Sequence, residues 1–477
     1  MSAGSQRRGW TTPGRAWLVL LWGAQIAAFA AVAIVMLGEP ARCLSDDSLE
    51  YLGLARTLSL EQRFLSHYHP GLPELYRTPV YPLWLSWLRA WESLGALRLL
   101  LVSQIAMGLG AAVAIALTAR AAGGRDCWWT GGLYLASPVV LVNTLTIGTE
   151  PLFVLLGSLG AFLLVRGLRG DSWRAMAGSG LFVGLACLAR PIGVVLVVLG
   201  IAACLGLLLR RTPLRRLAIA WVIAACLLPG LWSVRNGVVG GFWGPSRTLI
   251  SFPSSVLGSQ YLEHGTEPMK TSAYDAEGLE AGVRDLSGAV ARHPLRALRT
   301  VVVGSARTLL GPGEWTLRRA LLGEVGFRDP HEATAVYMID ATGPMLRFFE
   351  TPGAAPGAAP RTSAGATSRG RSAACWALLV WSVAAMGIVY LRALRGLWGL
   401  RAPRGPQGPR AVRAQQALLA PDSAGRFLPL LWLAAAVGLT LASAGFLSNS
   451  RFRLPVLPFL LLLGKGHTEP QERPTAR

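Results

Sequence analysis

Asp46 and Asp47 stand side by side in the stretch Leu44 to Leu88, which lies between two strongly apolar segments and holds most of the side chains able to do chemistry. Glu50 and Tyr51 follow at helical spacing, so Asp46 shares a face with Glu50 and Asp47 shares one with Tyr51. A carboxylate poised where water meets membrane serves as general base for a hydroxyl nucleophile, or helps hold a divalent ion. The Asp46/Asp47 pair is therefore the candidate catalytic pair and a possible divalent-metal site. A plainer role competes: Ser45 or Asp46 caps a helix that carries Leu49, Leu52, Ala55 and Leu58, and the acids favour its positive end.

Downstream, YRTPVYP contains Tyr76, Arg77 and Tyr81, with prolines at 79 and 82. The residue before a proline avoids the helical region, so this piece is expected to be stiff and largely extended, presenting Arg77 in a fixed direction. A guanidinium suits phosphate through its planar fork of donors. As plain structure it is a connector into a surface helix from Pro82 to Trp91. Tyr51 and Tyr76 are the substrate-binding candidates beside Arg77. Glu150 opens the apolar run EPLFVLLGSLGAF as either a helix-start residue or a second acid facing the loop. Arg190, Arg235, Arg451 and Arg453 fall at the ends of apolar segments on the side where arginine is disfavoured, which calls for an anionic partner or snorkelling room.

The elements that must position these groups are membrane spans. Hydrophobic residues make up 52% of the 477 and charged ones 15%, far below the roughly one quarter usual in soluble proteins. The net charge of +21 is almost all arginine, lysine occurring only at Lys270 and Lys465, and the arginines cluster where apolar segments end. They set orientation and meet lipid phosphates, and nucleic acid is excluded as a partner. Six scattered cysteines without C-x-x-C spacing indicate neither a disulfide framework nor a zinc site.

Runs of about twenty apolar residues predict an all-α polytopic membrane protein with about ten transmembrane helices, near 16–37, 97–119, 127–146, 150–166, 175–189, 191–209, 216–234, 373–391, 427–446 and 453–464. With the N-terminus cytoplasmic, every arginine-rich short connection falls inside. The predicted organisation is a tail and first span (1–37), an outer catalytic loop with interfacial helices (38–96), a six-span core (97–234), a partly flexible second outer region (235–372) and C-terminal spans with a basic inner loop (373–477). Within the outer region, Leu279, Val283, Leu286 and Val290 recur at helical spacing. The run 293–315 reads as an amphipathic surface helix, because Arg296, Arg299 and Arg307 burden it as a span. The Pro/Gly/Ala-rich run 351–372 reads as a flexible linker.

Several of these pieces together resemble the GT-C superfamily of membrane glycosyltransferases, nearest to its protein O-mannosyltransferase-like and lipid A aminoarabinose transferase-like branches. They are SDDSLEYLGLA, YRTPVYPLWL, GTEPLF, LARP, RN at the end of a span and SRFRLPVLPFLLLL, spread over nearly the whole chain in that order. The resemblance implies a sugar carried on a polyprenyl phosphate and inverting transfer on the non-cytoplasmic face, to a glycan, lipid or protein acceptor; the near absence of lysine and the wealth of Arg, Ala and Gly point to a bacterial plasma (inner) membrane. The resemblance also implies Asp46 or Asp47 as base, Asp46 first, and Arg77 as a phosphate ligand, with Arg235, Arg451 and Arg453 matching other basic positions less closely. The chain ends sooner after its last apolar segment than such relatives do. A transporter or flippase of a lipid-linked anionic glycan is the rival reading. It would favour acids and bases within the spans, whereas the charges here gather at span ends.

Overall fold

The computed structural model describes residues 43–44, 46–67, 71–124, 127–209, 214–249, 276–310, 383–395, 422–442 and 455–463, with scattered helical positions within 20–38 and 377–381. Among the described residues all regular structure is helical, apart from one isolated antiparallel bridge between Leu65 and Pro73. We number the helices α1 (Asp46–Glu61), α2 (Val80–Leu88), α3 (Leu94–Ala121), α4 (Cys127–Leu135), α5 (Pro138–Leu145), α6 (Glu150–Gly170), α7 (Trp173–Ala189), α8 (Val194–Leu209), α9 (Arg215–Gly240), α10 (Ala276–Arg292), α11 (Pro294–Leu310), α12 (Asp422–Ala442) and α13 (Leu457–Leu463).

Four of the described helical stretches are long and apolar enough to cross a membrane: Leu94–Ala121, Glu150–Gly170, Pro191–Leu208 and Arg215–Gly240. Trp173–Ala189 and Leu430–Leu441 are shorter apolar stretches. On α9 the exposed residues Ile219, Ile223, Leu227, Leu231, Val234 and Val238 form one stripe. At 1.5 Å per residue that stripe is about 28 Å long, close to the roughly 30 Å of a bilayer's hydrocarbon core. Soluble proteins rarely expose so continuous an apolar surface, and here it faces lipid.

The expected ten uninterrupted spans are not all present in that form. The stretch 127–146 is two helices in series, because Ser137 adopts extended backbone (φ −78°, ψ 116°) ahead of Pro138. Together α4 and α5 still return the chain to the end of the bundle where α1 lies, and there the Ile147 amide donates to the Cys43 carbonyl at 2.8 Å. The expected span at 453–464 is, in its described part, the seven-residue α13, whose side chains are nearly all buried in the core. The spans near 16–37 and 373–391 are described only at scattered or partial helical positions, and the linker 351–372 lies outside the described residues. The helices expected near 273–290 and 293–315 are α10 and α11.

Small residues let the core helices approach closely. A Cβ on Gly180 of α7 would lie 2.3 Å from the Trp221 carbonyl oxygen of α9, and one on Gly184 would lie 2.7 Å from that of Ala225. Two glycines four residues apart thus make the flat face that brings backbones together in lipid, where hydrophobic burial gives helices no net attraction. Gly180→Leu is expected to force the two helices apart, with the roughly 1–3 kcal/mol cost of overpacking as a floor, and to lower the thermal unfolding midpoint of the detergent-solubilised protein.

Candidate functional site

At the end of the bundle where α1 and α2 lie, one arginine gathers the acids. Asp47, Glu50 and Tyr51 occupy positions i, i+3 and i+4 of α1 and so project from one face. Arg77 reaches that face from the following loop. Its Nη2 donates to Asp47 Oδ1 at 2.9 Å and, through a short contact, to Glu50 Oε2, while Nη1 donates to the Tyr51 hydroxyl at 3.3 Å. Asp47 keeps 31% of its side chain exposed and Glu50 only 7%. Asp47 is therefore the acid a substrate can reach, and Glu50 is the one that anchors the arginine. Burial by itself would lower the Arg77 pKa, but Glu50, Tyr51 and Asp47 more than offset it and hold the guanidinium charged.

The loop around Arg77 is bent, which corrects the extended segment expected from YRTPVYP. Glu74, fully buried, accepts the backbone amides of Tyr76 at 2.6 Å and Arg77 at 2.9 Å through one carboxylate oxygen, folding the chain into a tight turn. Pro79 then takes helical backbone (φ −82°, ψ −23°) and caps α2, so Tyr81 and Pro82 belong to the first turn of a helix. Burial, and then the nearby Glu50, push the Glu74 carboxyl above the ordinary carboxylate range. The far side of the turn is pinned by a second segment: Thr248 Oγ1 donates to the Tyr76 carbonyl at 2.7 Å, Ser246 Oγ donates to the same oxygen, and the Arg247 amide donates to Leu75 at 2.8 Å.

Behind the acid face, a chain of buried polar groups fixes the aromatic floor. Tyr51 meets Tyr81 edge to face at 5.2 Å, and burial raises its phenol pKa. The Tyr81 hydroxyl donates to Gln104 Oε1 at 2.8 Å, and Gln104 Nε2 donates to the carbonyls of Thr144 at 2.9 Å and Thr146 at 2.8 Å. The buried Ser48 hydroxyl donates to the Ile147 carbonyl. Floor, acid helix and the α5–α6 connection are therefore tied together by hydrogen bonds.

The remaining sequence candidates separate. Glu150 is not an open second acid: it is buried in an ion pair with Arg190 Nη1 at 2.6 Å, joining the start of α6 to the end of α7. Arg235 donates to the Glu74 carbonyl at 2.9 Å and to the Phe64 carbonyl at 3.1 Å, with its guanidinium 4.9 Å from the Trp232 ring centre. Three of its hydrogen bonds, counting that to Asn236, go to groups of this chain, so it staples the loop between α1 and α2 onto the end of α9. Tyr76 contributes its backbone to the turn. Asp46 begins α1, but its side chain lies outside the described residues, as do Arg451 and Arg453 altogether. Among the described residues no group of three or more His, Cys, Asp and Glu side chains could hold a metal, and Arg77 already neutralises Asp47 Oδ1.

Sequence reasoning left Glu50, Glu74, Gln104 and His67 out of the site. The i, i+3 spacing of Asp47 and Glu50 was a usable signal for the first; the others act through contacts that no spacing encodes. His67 packs flat on α1 at Gly53, where a Cβ would meet its Nδ1 at 2.3 Å. Burial holds its pKa below the ordinary imidazole value, with Glu50 opposing that and Arg56 adding to it. The folded chain therefore binds fewer protons at His67 than the unfolded chain does, and stability falls as pH drops through the ordinary imidazole range, roughly 6.5. The protection factors of amides in 62–67, each taken against the intrinsic exchange rate at the same pH, are expected to fall on acidification, and His67→Phe is expected to flatten that dependence.

No protein-family model matches the chain, and no curated protein matches it. Among solved structures, it is similar to the apo crystal structure of the Archaeoglobus fulgidus oligosaccharyltransferase at 13% identity and a TM-score of 0.42. The match covers 92% of this chain and 50% of that one, so this chain spans half its length.

Proposed function

We propose that this chain is a membrane glycosyltransferase that moves a sugar from a polyprenyl-phosphate donor to an acceptor hydroxyl at the non-cytoplasmic surface. The observation that carries the reading is the convergence of Asp47 and Glu50 on Arg77, across 30 and 27 residues of sequence, at the end of apolar helices. The face assignment draws on the opposite end of those helices, where Arg166, Arg169, Arg174, Arg215 and Arg216 gather.

In this reading the acceptor hydroxyl oxygen attacks the anomeric carbon as its proton passes to the Asp47 carboxylate. The bond from that carbon to the phosphate oxygen breaks, and polyprenyl phosphate leaves with the electron pair. Arg77 orients Asp47. Its contacts among the described residues use three of its five N–H donors, which leaves two to serve a phosphate without abandoning the acids. General-base help supplies about 10²–10⁴ in rate, and phosphate neutralisation and positioning supply much of the rest.

Purified full-length protein in liposomes, offered radiolabelled sugars on polyprenyl phosphate with envelope-derived acceptors, is expected to release polyprenyl phosphate and label the acceptor. Absence of transfer from every lipid-phosphate sugar tried, together with movement of the intact donor between leaflets, would replace the reading with transport.

A further inference from the structure

The helix that carries Tyr81 also has a face turned away from the acid–arginine cluster. α2 holds no charged residue, and its nine residues are fewer than half of the roughly twenty that cross a bilayer. Tyr81 and Leu85 are fully buried, whereas among the described residues Leu83 stays 49% exposed and Trp87 76%. At 3.6 residues per turn, Leu83 and Trp87 lie about 200° and 240° around the helix from Tyr81, on its opposite side. Trp84 flanks them and meets Trp87 edge to face at 5.4 Å. So large an exposed apolar face on so short a helix marks a surface that something other than water covers.

Two hydrogen bonds fix how α2 lies against the long helix α3, one of those able to cross a membrane. The Tyr81 hydroxyl donates to Gln104 Oε1 at 2.8 Å, and Trp84 Nε1 donates to the neighbouring Ser103 Oγ at 3.3 Å. Three residues of α2, about 4.5 Å of rise, thus match one residue of α3, about 1.5 Å, so α2 runs across α3 and not along it. The crossing has a depth as well. The exposed Arg98 and Arg120 bracket the apolar part of α3 about 33 Å apart, close to the roughly 30 Å of a hydrocarbon core. Ser103 and Gln104 lie about 7–9 Å below Arg98, and helices lying in the interface seat their apolar faces roughly 5–10 Å into the headgroup–acyl boundary. Leu99 and Val102, four residues and one residue before Ser103, are exposed on α3 and continue the apolar surface of α2 down the span. In the turn after α2, Arg89 and Glu92 pair with each other at its water-facing end.

We propose that α2 is an in-plane membrane anchor, with Leu83 and Trp87 seated in the headgroup–acyl boundary of the leaflet on the acid–arginine side, a layer that favours tryptophan. Because Tyr81 meets Tyr51 edge to face at 5.2 Å, the bilayer surface then sets the height of the acid–arginine cluster. The inference depends on the membrane setting and not on the sugar-transfer reading. Its test places the full-length protein in phosphatidylcholine liposomes that carry a tracer phosphatidylcholine with a diazirine either beside the glycerol or at the end of one acyl chain, and maps adducts by mass spectrometry. Leu83 and Trp87 are expected to take at least threefold more label from the shallow probe than from the deep one. Val113, exposed near the middle of α3, is expected to show the reverse preference. Equal or stronger labelling of Leu83 and Trp87 by the deep probe would put α2 in the hydrocarbon interior and overturn the proposal. So would labelling of Val113 with none at Leu83 and Trp87 from either probe, which would mean that protein covers that face.

Discussion

Asp47→Asn is expected to cut sugar transfer by about 10²–10⁴-fold, the share that general-base catalysis ordinarily contributes, while leaving the protein folded in the membrane. The substitution keeps the side chain's shape and retains a carbonyl oxygen to accept from Arg77 Nη2, so the 2.9 Å hydrogen bond survives without the carboxylate's charge. What disappears is the charge that accepts a proton. The Glu50→Gln variant separates the roles of the two acids. Glu50 is buried beneath Arg77 and its loss is expected to weaken folding more than it weakens the chemical step. The measurement is transfer rate per correctly folded molecule, with folding scored by monodisperse elution in detergent. Full activity in Asp47→Asn, and in the double variant Asp46→Asn/Asp47→Asn, would remove both acids from the mechanism.

Arg77→Ala is the second large effect, and it falls on stability as well as activity. Truncation leaves Glu50 buried and without its cation, and breaking such a pair by removing one partner costs about 3–5 kcal/mol. Asp47 loses its orienting donor, and Tyr51 loses both its hydrogen bond and a guanidinium 5.0 Å from its ring centre. Glu74 and Glu50 are then left with one cation fewer between them, although Glu50 already raises the Glu74 pKa. Thermal unfolding of the detergent-solubilised variant is expected at a clearly lower midpoint, with transfer lost even below it. Arg77→Lys is expected to recover part of the stability, because an ammonium restores the charge. It recovers little activity, because a point charge cannot bridge Asp47 and Glu50 and also present a fork to phosphate. An unchanged midpoint in Arg77→Ala would mean that the cluster contributes nothing to holding the loop between α1 and α2.

Both predictions rest on a constellation that was only half legible beforehand. Local rules reach Asp47 and Tyr51, which share a helix face by spacing alone, and they single out Arg77 as an arginine between apolar runs. They misread its loop. The proline rule favours extended backbone before Pro79, but Glu74 supplies two hydrogen bonds to the Tyr76 and Arg77 amides and bends the chain instead. A buried carboxylate that organises backbone amides looks, in sequence, like any other glutamate. Glu150 and Arg190 show the same limit: each looked like an unmatched charge at a span end, and their mutual pairing depends on how α6 and α7 lie together.

The amino-acid sequence by itself determined that the chain is helical and apolar, that its arginines sit at helix ends, and that an acid-bearing helix lies beside a loop arginine. These follow from composition, period and local hydrogen-bonding preference, which act over a few residues. Only the tertiary structure decided which charge meets which. It paired Arg77 with Asp47 and Glu50, spent Glu150 on Arg190, turned Arg235 toward loop carbonyls and broke the apolar run at Ser137. The physical reason is range: a buried charge must find its partner through space in a low-dielectric interior, and helix packing sets that distance.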